Sequence, residues 1–358
     1  MNTAIAEQRL HNQCITNAEY RQPADVVEWL GAVQAQEYPA ARWGLGLRMP
    51  EGASDNEIER AFDEGKILRT HVMRPTWHFV TPADIRWMLE LTAPRVHRIL
   101  ASYGRRHGLD APLLARATTA FERALRDGQP LSRAELGARL GRPGPLSKGI
   151  PLALLTIYAE LEGVICSGPR RGKQLTYALL ADRAPGAGRL SRDEALAELT
   201  RRYFTSHGPA TIRDFVWWSG LLTVDARRGL EMNRAVHEEI DGRTYWSLGG
   251  TMTGRMRRPS VDLLPVYDEY LVAYRDRDAV PHGPSVVESR SRGPVRFQHA
   301  LVIGGQVAGT WKTVQSASGL VVDVVPRRRL TGPERRALDQ AAARYGRFLG
   351  VPISLSVA

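Results

Sequence analysis

Two glutamines separated by one residue, Gln34 and Gln36, have the side-chain type and the spacing to act together in chemistry. A carboxamide takes no proton at neutral pH, so neither side chain is a general base, but its oxygen accepts hydrogen bonds and its NH2 group donates them. Two such groups can hold one water molecule and direct oxygen dipoles at a developing positive charge. The pair therefore suits a reaction whose leaving group is already activated.

The local sequence places this pair where a helix ends. Segment 23–33 opens with proline and has apolar residues at helical spacing, which predicts a helix, and Gly31 weakens its last turn. Pro39 prevents the helix from continuing far past Gln36. Residues two apart point about 200° apart on a helix but to the same side in an extended segment. The pair can therefore converge on one ligand, although two solvated amides fit the same residues.

Length and composition limit the class of protein. The chain has 358 residues, which predicts two to four domains, and 43% of them are hydrophobic. Because no apolar run reaches about 18 residues, we expect a folded protein with no membrane association. The amino terminus lacks the apolar core of a signal peptide, and Cys14 and Cys166 are isolated. A reduced, cytoplasmic location is therefore expected.

The charge balance favours a polyanionic partner. The net charge is +11 and the isoelectric point is near 10.0, values typical of nucleic-acid-binding proteins. Lysine occurs only at 66, 148, 173 and 312, so nearly all the positive charge comes from arginine. Since GC-rich coding also produces arginine, the charge favours nucleic acid without establishing it.

The predicted elements follow the same order three times. Two or three helices, several of them opened by capping boxes, precede a two-stranded hairpin, which is the order of a winged helix. We expect winged helices at 1–108, 109–186 and 187–255, followed by a β-rich domain at 256–358 whose strands include 263–273. The fold class is therefore α+β. The predicted linkers are the segments 108–112, 184–189 and 249–259.

Basic residues cluster in the loop of the second predicted hairpin. Arg170, Arg171 and Lys173 there are candidates for phosphate contacts by a wing. A solvated hairpin tip would have the same composition, so the two interpretations stay open.

In the first predicted hairpin, alternation places Arg69 and His71 on one face of the strand. His78 could join that polar face, with Trp77 and Phe79 in the core. His71 and His78 have no third ligand nearby, so we expect them to form hydrogen bonds and expect no metal site.

Other motifs give little support to other chemistries. Asp268 and Glu269 are adjacent, and on a strand they would face opposite sides, so a structural salt bridge is expected. No Walker loop, dinucleotide fingerprint or HExxH motif occurs, and no cofactor is expected. A Schiff-base route needs a desolvated lysine amine; only Lys66 could approach the glutamines, and without it water would be the nucleophile.

Several segments in the right order resemble the winged-helix DNA glycosylases of the AlkZ/YcaQ family, over almost the full chain. The matching segments are VQAQ at 33–36, ARWGL at 41–45, RPTWHFV at 74–80, YDEYLVAYRDR at 267–277 and GTWK at 309–312.

The resemblance implies three tandem winged helices in a C-shaped arrangement with a concave DNA-binding surface, and a carboxy-terminal β-rich domain. It also implies a catalytic Gln-x-Gln motif, which maps onto Gln34 and Gln36. Relatives of the YcaQ type have Gln-x-Asp, so Gln36 indicates the AlkZ-like branch. Members of this branch excise bulky N7-alkylguanines, and some unhook interstrand crosslinks, often as self-resistance in producers of alkylating antibiotics.

The expected function is therefore that of a monofunctional DNA glycosylase that is restricted to cationic purine adducts in double-stranded DNA and acts as a monomer. Arg69, His71, Arg74 and His78 of the first predicted hairpin are further candidates for DNA contact. The hairpin tip formed by Gly304, Gly305 and Gln306 is a candidate for minor-groove contact. The alternative function is that of a non-catalytic winged-helix regulator, which would need no converging amides.

Overall fold

The amino-terminal part of the chain surrounds a small sheet with helices. Its elements are α1 (Asn2–Asn12), α2 (Pro23–Leu30), β1 (Val33–Gln34), α3 (Tyr38–Leu47), α4 (Asp55–Asp63), β2 (Leu68–His71), β3 (Trp77–Val80) and α5 (Ile85–Arg106). The three strands are antiparallel in the order β1-β3-β2. The computed structural model of the protein describes residues 2–141, 144–248, 260–276, 280, 287–288, 296–317 and 319–358.

Two further groups of helices each precede a hairpin. The second group comprises α6 (Ala111–Leu125), α7 (Arg133–Ala138), α8 (Gly149–Leu161), β4 (Ile165–Arg171), β5 (Gln174–Leu179) and α9 (Leu180–Arg183). The third comprises α10 (Arg192–Ser206), α11 (Ile212–Ser219), α12 (Thr223–Met232), β6 (Val236–Ile240) and β7 (Arg243–Ser247). The predicted order of helices before a hairpin therefore occurs in all three groups, whereas the domain boundaries stay a prediction.

A five-stranded sheet and a long helix form most of the carboxy-terminal part. Its elements are β8 (Val261–Leu264), α13 (Glu269–Val272), β9 (Val287–Glu288), β10 (Arg296–Phe297), β11 (His299–Ile303), β12 (Gln306–Ser316), β13 (Gly319–Pro326), α14 (Gly332–Leu349) and β14 (Ile353–Val357). The sheet order is β14-β13-β12-β11-β8, and only β13 and β14 are parallel. The mixed α+β class with a carboxy-terminal sheet is confirmed, while the linker predicted at 249–259 lies outside the described residues.

The strand predicted for 263–273 is wrong beyond its first residues. β8 ends at Leu264, and Tyr267 has φ +60, so the chain turns there. Asp268 then caps α13 by accepting the Tyr270 N–H at 2.9 Å. A carboxylate that satisfies a free N–H group favours a helix start, and this local bond outweighs the apolar pattern of the segment.

The sequence pattern gives no indication of α3. Pro39 lies in the first turn of this helix, where its fixed φ is compatible with helical geometry. Gly44 and Gly46 lower the helix propensity of the segment. A Cβ on Gly46 would lie 2.4 Å from the ring of Phe348 in α14. The glycine therefore allows α3 and α14 to pack closely, and this tertiary contact stabilises a helix that propensity disfavours.

The hydrophobic core does not follow the order of the chain. Leu30 of α2 and Phe62 of α4 belong to the same buried cluster as Leu263 and Trp311 of the carboxy-terminal sheet. A second cluster joins Met88 of α5 to helices of the third group. The amino-terminal group is thus packed between two other parts of the molecule. Among the described residues, no helix is long and apolar enough to cross a membrane.

The end of α11 packs against the turn between β2 and β3. Gly220 caps α11 with φ +70, and a Cβ there would lie 2.3 Å from the carbonyl oxygen of Met73. Met73 itself has φ +62, and its N–H donates to Thr92 Oγ1 at 3.1 Å. This close approach fixes the third group of helices against the turn that leads into β3.

We expect Gly220→Ala to destabilise the protein more than Gly242→Ala, which serves as the matched control. Both glycines have positive φ, but nothing lies within 4 Å of a Cβ at Gly242. Overpacking against backbone adds about 1–3 kcal/mol to the conformational cost that both variants share. Urea unfolding of the two variants measures the difference, and equal losses of stability would contradict the packing described here.

Candidate active site

The chain adopts extended backbone at Val33 and Gln34, soon after the end of a helix, and bends at Gln36. α2 ends at Leu30, and Gly31 takes φ +80. Gln34 pairs with His78 of β3, and the N–H of the next residue, Ala35, donates to the Trp77 carbonyl at 2.7 Å. The helix predicted to reach Val33 is thus three residues shorter. Gln34 lies in the strand and Gln36 lies beyond its end, so the convergence that the spacing predicts for an extended chain stays a prediction.

Both carboxamide oxygens face the turn before β3. Arg74 Nη2 donates to Gln34 Oε1 at 2.9 Å, and the Trp77 backbone N–H donates to Gln36 Oε1 at 3.4 Å. Guanidinium and backbone N–H groups only donate, so the amide atoms that meet them are oxygens. Gln34 is buried and Gln36 is half-buried. The turn therefore holds both amides in defined orientations.

Arg74 connects this pair of amides to an exposed aromatic ring. Its guanidinium carbon lies 5.8 Å from the ring centre of Trp217 in α11, within the range of a cation–π contact. The indole Nε1–H of Trp217 donates to the Val272 carbonyl at 2.9 Å, while the side chain is 40% exposed. Burial lowers the pKa of Arg74, partly offset by the charge of Glu269. An aromatic surface thus lies beside the candidate site.

His78 lies on the same face of the sheet as Gln34. The register pairs His71 with Trp77 and Thr70 with His78, so the expectation that His78 would join the face of Arg69 and His71 is wrong. Directly paired residues share a face, and Trp77 shares the face of His71. The two histidines therefore lie on opposite sides of the sheet and cannot bind one metal ion.

The imidazole of His78 is neutral at physiological pH. Its Nδ1 lies 2.9 Å from the Thr76 carbonyl oxygen, to which it donates, and its Nε2 lies 3.5 Å from Arg74 Nη2. Burial, and then the positive charge of Arg74, lower the pKa of His78 to about 3. His78 is therefore not available as a general acid near pH 7.

A buried carboxylate lies behind Gln34. Glu269 Oε1 accepts the backbone N–H of Gln34 at 2.6 Å, and Oε2 accepts the indole N–H of Trp218 at 3.0 Å. His207 Nε2 lies 3.5 Å from Oε2. Burial alone would raise the pKa of Glu269, but the hydrogen bonds and charge of its neighbours, His207 first, bring it below the usual value. The carboxylate is therefore ionised.

The salt bridge expected for the acidic pair is formed by Asp268 only. Its two oxygens each lie 2.8 Å from a guanidinium nitrogen of Arg48, and both side chains are 1% exposed. The adjacent Glu269 instead reaches Gln34. Nothing in the residue types predicts this contact; the only signal is that the segment 267–277 and the segment 33–36 both take part in the family resemblance.

Arg69 and His71 lie on the opposite face of the sheet from Gln34. Arg69 Nε donates to the Ala35 carbonyl at 2.9 Å, and its guanidinium lies 4.2 Å from the ring centre of Trp77. His71 Nδ1 lies 2.5 Å from Glu160 Oε2. Both side chains are buried, and Arg69 and Trp77 line a cavity of about 400 Å³ beside β5. Arg69 and Trp77 hold the Gln34–Gln36 segment from the face opposite the Gln34 side chain. The DNA contact predicted for Arg69 and His71 stays a prediction.

Two of the three basic side chains in the hairpin of the second group already pair with carboxylates of the protein. Arg170 forms an ion pair with Glu59 of α4, and its backbone N–H donates to Asp63 Oδ1 at 2.7 Å. Arg171 pairs with Glu135 at the surface, and Lys173 is exposed at the turn. The predicted phosphate contact is therefore best supported for Lys173, because the charge of Arg170 is matched within the fold.

The hairpin tip of Gly304, Gly305 and Gln306 packs against α1. Tyr270 Oη donates to the Gly305 carbonyl at 2.7 Å, and a Cβ on Gly305 would lie 2.9 Å from the Cβ of Ala6. Gly305 is buried, while Gly304 and Gln306 are half-buried. The turn thus joins the sheet to the first helix, and the minor-groove contact predicted for the tip stays a prediction.

Comparison with known proteins shows to which family the chain belongs. A family model described as DNA glycosylase AlkZ-like matches residues 27–348. The chain belongs to this AlkZ-like family of DNA glycosylases.

Two relatives from Streptomyces sahachiroi extend the comparison. An interstrand DNA cross-link repair glycosylase is 28% identical over 363 aligned residues, which cover 96% of this chain and 95% of that protein. The solved structure of DNA glycosylase AlkZ has a TM-score of 0.81 to this chain, with 23% sequence identity and 99% of both chains covered. The structural likeness shows that the two chains share a fold.

We expect His78→Gln to reduce the loss of stability on acidification. The folded-state pKa of about 3 lies below the unfolded value of 6.5, so the stability that His78 contributes is present above pH 6.5 and is lost as the pH falls toward 3. Each pH unit in this window costs about 1.4 kcal/mol per histidine. Urea unfolding between pH 7 and pH 5 should show a smaller slope for the variant. His11→Gln, an exposed control, should keep the wild-type slope, and a wild-type slope in His78→Gln would contradict a neutral buried imidazole.

Proposed function

We propose that this protein is a monofunctional glycosylase that hydrolyses the N-glycosidic bond of cationic N7-alkylguanine in double-stranded DNA and leaves an abasic site. The observation that carries the proposal is that the oxygens of Gln34 and Gln36 are both held by the Arg74–Trp77 turn. The proposed substrates include bulky adducts and interstrand crosslinks, because one relative is named as an interstrand DNA cross-link repair glycosylase.

The leaving group determines what the protein must supply. Alkylation at N7 gives guanine a positive charge, so the bond between C1′ and N9 can break with its electron pair moving onto the base. The base then departs neutral without being protonated by an acid. The sugar acquires oxocarbenium character, a water molecule adds to C1′, and the proton of that water passes to solvent. Catalysis therefore requires stabilisation of a cation and placement of water.

The two carboxamides meet both requirements. An amide oxygen has two lone pairs, and one on each glutamine accepts the hydrogen bond from the turn. The second lone pair is available to the sugar cation or to a hydrogen of the attacking water. Dipoles that are already oriented cost no reorganisation during the reaction. This is the physical reason why neutral side chains suffice for a cationic substrate.

Water is the nucleophile in this proposal. Lys66, the lysine nearest to the glutamines in sequence, is 58% exposed and pairs with Glu64 at 2.8 Å. A Schiff base requires a desolvated amine, and this lysine is solvated. The proposed enzyme therefore has no lyase activity. Because three helix-and-hairpin groups occur in one chain, we propose that a monomer contacts the duplex.

We expect Gln34→Ala and Gln36→Ala each to lower the single-turnover rate of excision by about 100- to 1,000-fold, the usual loss for one oriented dipole. DNA affinity should change little, since phosphate contacts dominate it. A duplex containing 7-methylguanine, scored for abasic sites by alkaline cleavage, measures the rate, and fluorescence anisotropy measures the affinity. The exposed residue Gln340 of α14 provides the control variant Gln340→Ala. Equal losses of rate and affinity in the two site variants would favour a non-catalytic DNA-binding regulator.

We expect excision of 7-methylguanine to be independent of pH between about 6 and 9, because carboxamides do not titrate there and His78 stays neutral with a pKa of about 3. Single-turnover rates across this range test the expectation. Borohydride added during the reaction should trap no protein–DNA adduct. A bell-shaped profile would identify a titrating acid or base, and a trapped adduct would overturn the water mechanism.

A further inference from the structure

The backbone N–H of Gln34 points away from β3 and donates to the negatively charged carboxylate of Glu269. We propose that Glu269 is a positioning residue for the glycosylase reaction: its buried carboxylate orients Gln34 and offsets the positive charge of Arg74 where the sugar cation forms. The inference rests on the proposed function and goes beyond it, because it assigns a role in the reaction to a residue of the carboxy-terminal part that does not touch the substrate.

The first part of the role is geometric. β1 has only two residues and lies at the edge of its sheet. An edge strand has N–H groups without a strand partner, and the Gln34 N–H is such a group. Glu269 Oε1 accepts it at 2.6 Å, and hydrogen bonds to an ionised acceptor are about twice as strong as neutral ones. The carboxylate therefore fixes the backbone that directs the Gln34 carboxamide.

The second part is electrostatic. Arg74 donates to Gln34 Oε1, so a guanidinium lies beside the oxygen proposed to stabilise a cation. In the described part of the chain, Arg74 has no carboxylate within ion-pair distance. The field of Arg74 alone would disfavour positive charge on the sugar, and this effect is stronger in a buried site than in water. A carboxylate on the other side of Gln34 opposes that field.

The contacts around Glu269 fix its carboxylate in this position. Trp218 and His207, both in the third group, lie 3.0 and 3.5 Å from Oε2. Glu269, His207 and Trp218 are each 0% exposed. A carboxylate held by the Gln34 and Trp218 N–H groups has one orientation, and water does not screen it. The amino-terminal part, the third group of helices and the carboxy-terminal part thus meet at the Glu269 carboxylate, which supports Gln34.

The neighbouring residue Asp268 provides a control that distinguishes a role in the reaction from ordinary structural support. Asp268 is also buried and ionically paired, but with Arg48 and not with Gln34. Removal of either charge should lower stability, since each leaves buried partners unsatisfied. Only the charge of Glu269 should affect the rate of bond cleavage. Asp268→Asn is therefore the matched control for Glu269→Gln.

The experiment compares the full-length variants with wild type on a duplex carrying 7-methylguanine. We expect Glu269→Gln to lower the single-turnover rate by about 10- to 100-fold, less than the loss for a dipole that itself meets the substrate, because Glu269 acts through Gln34, with DNA affinity nearly unchanged. Asp268→Asn should lower the melting temperature but keep the wild-type rate below its melting transition. Equal rates for Glu269→Gln and wild type, or equal losses in both variants, would overturn the proposal.

Charge balance is tested by adding Arg74→Gln to the Glu269→Gln variant. If the unopposed guanidinium slows the reaction, its removal should recover part of the rate lost in the single variant. A double variant slower than both single variants would contradict charge balance, because the two losses would then be independent. Should Glu269→Gln fail to fold, Glu269→Asp keeps the charge but shortens the side chain, and should then retain more activity than Glu269→Ala.

A readout independent of catalysis separates this inference from the proposed function. In ¹⁵N-labelled protein, the Gln34 amide proton should resonate downfield and exchange slowly with solvent, and both properties should weaken in Glu269→Gln, because a neutral amide oxygen is a weaker acceptor than a carboxylate. If wild type excises nothing, the proposed function fails. An unchanged Gln34 amide in the variant overturns the positioning role whether or not wild type is active.

Discussion

The end of α2 at Leu30 is the constraint on which the candidate site depends. Gly31 takes a positive φ that a residue with a Cβ adopts only at a cost, and the chain then pairs with β3. If the helix continued, the two carboxamides would point about 200° apart. The pairing instead brings the turn that carries Arg74 to both amide oxygens. One break in regular structure thus converts two ordinary polar residues into a pair with a shared orientation.

The arginine content of the chain has a structural use that its net charge conceals. Arg9 and Arg48 are each 1% exposed. Arg9 Nε donates to the Pro209 carbonyl, and Arg48 pairs with Asp268. Arg170 likewise pairs with Glu59. Charges matched inside the fold are not available to phosphates, so the number of arginines overstates the basic groups that the protein offers to DNA, whereas the net charge of +11 already subtracts such pairs.

The features that sequence predicts well here depend on neighbouring residues. Capping boxes open helices at Ser132, Ser191 and Thr331, and each can be read from the sequence because it requires only residues three positions apart. The Asp241-Gly242 turn joins β6 and β7, with positive φ at both residues. Such interactions are present in any chain with these residues, so their prediction needs no knowledge of the tertiary fold.

The features that sequence does not reveal depend on distant contacts. Glu269 reaches Gln34 across 235 positions, and the packing of Gly46 on Phe348 stabilises a helix that its composition disfavours. The face occupied by His78 depends on the register across the β2–β3 turn, and a shift of one residue would reverse it. The glutamine pair could be located from its spacing, whereas the groups that orient it could not.

The cluster that joins α2 and α4 to the carboxy-terminal sheet makes the catalytic candidate inseparable from its surroundings. An excised amino-terminal segment would lose the carboxy-terminal side chains, Leu263 and Trp311 among them, that complete the cluster containing Leu30 and Phe62. The motif is accordingly unsuited to transplantation onto another DNA-binding scaffold. Any recombination during evolution that exchanged the last hundred or so residues would also have had to rebuild the interior beneath the glutamines.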